Sequence, residues 1–438
     1  MNIIYLHTHD TGRFIQPYGH PIPTPNLMAL ARQGVLFRQC YSAAPTCSPS
    51  RAALLTGMNP HAAGMMGLLH RGFSLNDPRQ HLAHHLQGSG YETVLCGEQH
   101  VIQHGREKDL GYEQVLAPQP AGKFANEVER NMARDRLRAE AAAAYLSRPK
   151  ARPFFLAFGL NANHLPLPVP APDINPAYVQ PLPTLPDTPE VRKDMAGYMT
   201  LARHADNCLG TVLDALAANG LEEETLVFFT TDHGLAFPWM KCNLTDHGLG
   251  VSLIMRFPGR KYAGRVVDSL VSHLDLYPTL CELAGVEAPS WLEGHSLMPL
   301  LRGETERVRE VIHGEVTYHA AYEPMRCART ERYKYIRYFG DYGGVVRPNI
   351  DDSRSKRFLL RHGLGERQHA PPEMLFDLYY DPSERDNLVG WADYADVKAQ
   401  MANKLQAWME ATEDPLLKGP VPLPPGGYTN APDELNPS

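Results

Sequence analysis

Residues 44–57 read APTCSPSRAALLTG and place a cysteine, Cys47, immediately ahead of residues that start helices. Ser48 suits an N-cap, Pro49 the first helical position and Gly57 the residue just past the last turn. A cysteine there faces the unpaired N–H groups of a helix start, which favour anions, and Arg51 adds a cation near the same end. A tetrahedral anion fits that environment. On residue types alone Cys47 reads as a buried thiol, a metal ligand, a nucleophile or the precursor of a modified residue.

Two other strings end in acid and imidazole. NIIYLHTHD carries an apolar run into His9 and Asp10, and LVFFTTDHG stops abruptly at Asp232 and His233. Open α/β sheets bind ligands outside the carboxyl ends of their strands, so these two ends are where a ligand would be reached.

The elements that must position these residues alternate. Strands are predicted at Ile3–Leu6, in ETVLC, in PFFLAFGL and in LVFFTTDHG. Helices are predicted in TPNLMALARQG, with Thr24 as N-cap and Pro25 at N1, over 127–146, and over 190–219. That alternation predicts a mostly parallel central sheet with helices on both faces. Residues 166–189 hold nine prolines, which excludes regular structure and predicts an ordered loop at the rim of a site or a mobile linker. After about residue 305 the strings MRCARTERYKYIRYF and EMLFDLYYD read as strands of a meander, followed by a helix at 392–411. The expected division is a catalytic domain at 1–305, a smaller α+β subdomain with an antiparallel sheet at 306–418, and an extended tail at 419–438.

Composition narrows the function class. The chain has 438 residues, 43% hydrophobic and 21% charged, with a formal net charge of −7. That balance is ordinary for a globular enzyme and gives no support to a nucleic-acid or membrane-surface partner. No stretch reaches the roughly 18 apolar residues of a membrane span, and the first residues run into a strand without a signal-peptide pattern. Seven scattered cysteines without CxxC pairs argue against a disulfide scaffold or structural zinc site. They make the cytoplasm the expected compartment. Self-association into a homo-oligomer stays open.

Taken together, Pro45, Thr46, Cys47, Ser48, Pro49, Ser50, Arg51, Leu54, Leu55, Thr56 and Gly57 resemble the sulfatase signature, and the resemblance extends over most of the chain. It covers HPIPTPNLMALARQGVLFRQCYSAAPTCSPSRAALLTG, YMTLARHADNCLGTVLDALAANGLEEETLVFFTTDHG and MLFDLYYDPSERDNLV. Within the family, GEVTYHAAYEPMRCARTERYKYI and FPWMKCNLTDHG are most similar to N-sulfoglucosamine sulfohydrolases, the heparan N-sulfatases. The resemblance implies the alkaline-phosphatase-like fold and hydrolysis of a sulfate ester or sulfamate on a sugar-like or aryl compound. It implies that a formylglycine-generating enzyme, a transient partner, oxidises Cys47 to an aldehyde. The aldehyde hydrate offers one hydroxyl for attack and a second that expels sulfate.

The same resemblance implies one divalent metal, calcium by family habit, held by Asp10, Asp232 and His233 with the modified Cys47. His9 replaces the aspartate usual before Asp10; with His9 and His233 both as ligands, manganese becomes an alternative. Arg51, His164, Lys241 and His100 match catalytic and anion-holding positions, and His70, Arg71 and Arg326 are carried over as substrate contacts. Glu98 stands where the family keeps a lysine. It is expected to point away from the sulfate, meet a cationic substrate group, or mark altered chemistry. His9 and Glu98 keep a second reading open, a phosphonate monoester or phosphodiester hydrolase. A third is a silent binding protein in which Cys47 stays a thiol.

Overall fold

The central strand sets the architecture. In the computed structural model, which describes residues 1–367 and 371–437, Asn2–Thr8 (β1) is buried along its whole length. Its alternate side chains enter two separate cores: Ile3 and Tyr5 on one face, Ile4 and Leu6 on the other. A strand buried on both faces needs such a continuous apolar run.

Around it lie Val35–Tyr41 (β2), Glu92–Gly97 (β3), Gln114–Leu116 (β4), Phe154–Gly159 (β5), Thr225–Thr231 (β6), Gly250–Arg256 (β7) and Arg265–Ser272 (β8). The eight strands are ordered β4-β3-β5-β1-β6-β7-β2-β8. All pair in parallel except β7, which runs antiparallel to both β6 and β2. On the Ile4 face pack Leu27 and Leu30, Ala139 and Ala142, and Leu209 and Val212. They come from the helices Pro25–Gln33, Glu127–Leu146 and Pro189–Ala218. The opposite face is covered by Leu54 and Leu55 of the helix Cys47–Thr56 and by Leu276 and Leu280 of Leu276–Ala284.

A second sheet comes later in the chain: Ile312–Tyr318 (β9), Tyr322–Arg329 (β10), Tyr333–Tyr338 (β11) and Glu373–Asp377 (β12), ordered β12-β11-β10-β9 and antiparallel throughout. It is the expected meander. The helix Ala395–Ala411 lends Met401 and Leu405 to the first core, beside Ala328 and Tyr335. The fold is thus an α/β sheet sandwiched by helices plus a smaller α+β unit.

Three expectations are corrected in detail. Thr24 occupies the N-cap position but its side chain caps nothing, and instead accepts from the Gln16 N–H at 3.0 Å. The buried Asp206, from another helix, takes that duty: it accepts from the backbone N–H groups of Asn26 (3.0 Å) and Leu27 (2.8 Å). The helix of the signature begins at Cys47 itself, with Thr46 in the N-cap position though its side chain caps nothing, so the cysteine sits in the first turn and not before it. The residues after 418 are extended but tied down. Lys356 donates to the Leu435 carbonyl at 2.6 Å, and Asn430 forms a bridge with Ala321.

The proline-rich segment packs Leu167, Leu182 and Leu185 against Phe14, Phe237 and Met240. It therefore walls the stretch that leads to Lys241.

Because Asp206 satisfies two helix-end donors from inside the core, Asp206→Ala is expected to destabilise the protein by about 2–4 kcal/mol. A lowered urea midpoint with an unchanged slope is the readout; no shift would show that the Pro25 helix does not need this cap.

Candidate active site

The site forms where β1 and β6 end side by side. Their in-register pairing of Thr8 with Thr231 brings His9, Asp10, Asp232 and His233 together by construction. Asp10 adopts a left-handed φ of 46°, which few side chains tolerate. The Asp232 carboxylate accepts the backbone N–H groups of Asp10 at 2.9 Å and His233 at 3.0 Å, so it stabilises that turn. Its other oxygen lies 3.0 Å from Arg51 Nη2 and 3.0 Å from His9 Nδ1. Burial would raise the Asp232 pKa, yet His233, Arg51 and His9 hold it well below the ordinary carboxylate range.

Each polar residue of the CSPSR string has a separate task. Ser48 Oγ accepts the Leu69 N–H at 3.2 Å, anchoring the segment that carries His70 and Arg71. Ser50 Oγ donates to the Asp232 carbonyl at 2.5 Å. Arg51 donates to Asp232 and to the Thr8 carbonyl at 3.2 Å, and meets His7 Nδ1 at 2.7 Å. These bonds pin the helix against the two strand ends and aim Cys47 into the gap. Cys47 Sγ lies 3.4 Å from His233 Nε2. Burial, opposed by Lys241 and reinforced by Asp232 and Asp10, pushes the Cys47 thiol pKa up, so an unmodified thiol here is a poor nucleophile.

One ligand atom each from His9, Asp10, Cys47 and Asp232 falls within 4.8 Å of the others. Both Asp10 oxygens and His9 Nε2 are buried without a hydrogen-bond partner. Near them lie His233 Nε2, 3.3 Å from one Asp10 oxygen, and the Lys241 ammonium, 3.6 Å from the other. Orphaned buried carboxylate oxygens are costly, and a divalent cation would satisfy them. Burial and the Arg51 charge keep His9 neutral, the state in which imidazole ligates.

A wall of histidines closes one side. The His9 ring lies 4.7 Å from His100 and 5.5 Å, edge to face, from His164. His164 is held on its loop by Asp135, whose carboxylate accepts the N–H groups of Asn161 and Ala162, both at 3.0 Å. His100 reaches the site because β3 ends at Gly97, with φ 107°; a Cβ there would stand 1.9 Å from the Gly159 carbonyl oxygen. Glu98 does not face an anion. It is buried against Arg138 (2.8 Å) and Arg134 (3.5 Å), and its second oxygen meets His100 Nε2 at 3.2 Å. Burial is outweighed by His100 and Arg138, which hold its pKa well below the usual range. The first of the three expectations for Glu98 is the one the geometry fits.

Lys241 stands opposite Cys47, between Asp10 and Asp351, the latter at 2.8 Å. Those two carboxylates overcome burial and hold the ammonium charged. His319, beside Lys241 and Asp351, directly follows the strand Ile312–Tyr318, a strand end the sequence analysis passed over; Asp351 follows no strand and no recognisable spacing.

The substrate contacts carried over from resemblance divide. His70 is exposed, and partial burial of its ring together with Arg71 and His100 lowers its pKa. Arg71 is buried, its guanidinium 4.8 Å over the Tyr428 ring of the docked tail. Arg326 is corrected: it has no accessible surface and is committed to Asp414 at 2.5 Å and Glu315 at 3.4 Å. That places it in the interior of the second sheet's packing rather than at a substrate. Asp414→Ala should therefore cost about 3–5 kcal/mol by stranding a buried guanidinium. Steady-state kinetics of the folded fraction should be unchanged; a selective rise in KM would restore Arg326 to the site.

The Sulfatase family profile matches residues 1–286, and a profile described as N-sulphoglucosamine sulphohydrolase, C-terminal, matches residues 236–345. Among curated relatives, an ulvan-active sulfatase of Formosa agariphila is 29% identical over 97% of this chain and 82% of its own length. The human N-sulphoglucosamine sulphohydrolase is 29% identical over 96% of this chain and 92% of its own. Among solved structures, a 2-O GAG sulfatase superposes with a TM-score of 0.72 at 23% identity, covering 97% of this chain and 95% of that one. The phosphonate monoester hydrolase of Agrobacterium radiobacter reaches 0.75 at 22% identity, covering 94% and 96%. At that identity the structural likeness bears on the fold alone.

Proposed function

Since the chain belongs to the sulfatase family, and is a hydrolase of sulfate ester or sulfamate bonds, we propose that it takes a sugar-borne sulfate or sulfamate, with Cys47 matured to formylglycine. The observation that carries this reading is the convergence on Cys47: a helix start behind it, His9, Asp10 and Asp232 on one side, Lys241 on the other. A formylglycine hydrate at position 47 would supply the nucleophilic hydroxyl and the second hydroxyl that expels sulfate. A divalent cation held by His9, Asp10, Asp232 and His233 would supply charge for the sulfo oxygens and acidity for that hydroxyl.

The chain's own groups do the rest. Lys241 and the first-turn N–H groups of the Cys47 helix hold sulfo oxygens, as helix starts and buried cations hold anions elsewhere. His164 and His100 face the opposite side, where a leaving oxygen or nitrogen must gain a proton. Glu98 orients His100, and Arg51 holds Asp232 in place. The relatives named for ulvan and for N-sulphoglucosamine support a sugar scaffold over an aryl one.

The test is sulfate release from matched sulfate, sulfamate, phosphodiester and phosphonate esters, with the mass of the Cys47 peptide recorded on the same preparation from the native host. An aldehyde mass and preferential sulfate or sulfamate turnover are expected; phosphonate turnover far above sulfate turnover would replace the reading. Cys47→Ala should lower kcat/KM by at least about 10⁴-fold, the scale of losing a covalent nucleophile.

Imidazole in place of a carboxylate predicts metal preference directly. In equilibrium dialysis the metal-stripped wild type should bind Mn²⁺ more tightly than Ca²⁺, and His9→Asp should reverse that order. Unchanged preference in the variant would remove His9 from the ligand set.

A further inference from the structure

Lys241 has more negative charge around it than an anion-holding lysine requires. Its ammonium lies 2.8 Å from Asp351 and 3.6 Å from Asp10. An arriving sulfo group brings a third anion to the same cation. Lys241 then turns toward the sulfo oxygens, and Asp351 loses its only side-chain hydrogen-bond donor among the described residues. A carboxylate in such a sheltered place stays charged only where another donor reaches it.

Among the described residues, no second lysine or arginine is within ion-pair distance of Asp351 to take over. The Asp351 side chain keeps 15% of its surface accessible, against 3% for Lys241, so a ligand can reach it. It feels His164 and His319 as well as Lys241. His319, 6% exposed, adds a buried Nδ1 with no hydrogen-bond partner. The Asp351 carboxylate and the orphaned His319 nitrogen form a polar wall beside the sulfo-binding lysine, where a ligand's donor would find an acceptor.

We propose that Asp351 is a specificity-determining residue: it accepts a hydrogen bond from a hydroxyl or N–H group next to the sulfo-bearing atom of the substrate. The inference rests on the sulfohydrolase reading above and sharpens it. The substrate class is a sugar sulfate or sulfamate with a donor beside the reacting group. Simple aryl sulfates, which offer none, bind without that contact. A bare carboxylate beside a sulfate would repel it, so Asp351 also selects against substrates lacking the donor.

The experiment compares wild type, Asp351→Asn and Asp351→Ala on N-sulfo-D-glucosamine, D-glucosamine 6-sulfate and 4-nitrophenyl sulfate. Asp351→Ala should lose about 30-fold in kcat/KM on the better sugar substrate, the scale of one hydrogen bond to a charged group. On 4-nitrophenyl sulfate it should not fall and should rise, because the carboxylate that repels a donor-less sulfate is gone. Asp351→Asn, which keeps an acceptor oxygen, should recover part of the sugar activity. An unchanged urea midpoint of each variant is the folding control.

Equal losses on sugar and aryl substrates would overturn the inference and reduce Asp351 to a prop for Lys241. So would wild-type turnover of the aryl sulfate with none of either sugar. Absence of sulfate release from every ester, with Cys47 matured, would sink the sulfohydrolase reading itself, an outcome distinct from both.

Discussion

The site depends on one carboxylate. Asp232 is fully enclosed, and each of its oxygens has at least two partners: the Asp10 and His233 N–H groups on one, Arg51 and His9 on the other. A buried charge is tolerable only when donors reach it, and here donors reach both oxygens. The same group therefore fixes the β1 turn, the β6 turn, the helix that presents Cys47 and the ring of His9. None of these neighbours could be moved without unpairing it.

That anchor divides the site into rigid and adaptable parts. The floor comes from the ends of β1, β3, β5 and β6, laced together by His9 N–H to the Ala162 carbonyl (2.9 Å) and Asn163 N–H to the His9 carbonyl (3.0 Å). Left-handed φ values at Asp10 and His100, and at Trp239 and Cys242 on either side of Lys241, fall at the points where the backbone must swing a side chain inward. The walls come from elsewhere. Asp351 and His319 lie beyond the second sheet's first strand, and Arg71 is covered by a residue of the tail. Chemistry common to a family sits on the floor, whereas recognition of one substrate sits on the walls.

The same division separates the parts legible in the sequence from those that are not. The strand ends and the Cys47 string are legible because periodicity and punctuation mark them, and the two predicted long helices match Glu127–Leu146 and Pro189–Ala218 to within a residue. The cap of the Pro25 helix is not, because Asp206 supplies it from 180 residues away. Nor is the role of Arg326, whose motif position says nothing of Asp414 waiting behind it. Asp351 lies in NIDDSRSKRF, with no strand before it. Only the packing of the second sheet against the first brings its carboxylate to Lys241, and no local pattern encodes that meeting.

The two departures from the signature's pattern, His9 for an aspartate and Glu98 for a lysine, are a single change in physical terms. Asp232 meets His9 Nδ1 at 3.0 Å, His9 stands 4.7 Å from the His100 ring, His100 meets Glu98 at 3.2 Å, and Glu98 meets Arg138 at 2.8 Å. Replacing the aspartate removes a negative charge from the metal side of His100. Replacing the lysine puts a negative charge on its far side, where Arg138 and Arg134 balance it. The count of carboxylates around His100 is kept while their position moves away from the sulfo group. A lysine at position 98 would face Arg138 and Arg134 in a buried place, and an aspartate at position 9 would crowd Asp232 and Asp10. Because the lysine's cation goes too, the pair leaves the core one unit more negative, and Arg138 and Arg134 beside Glu98 are the cations that balance it.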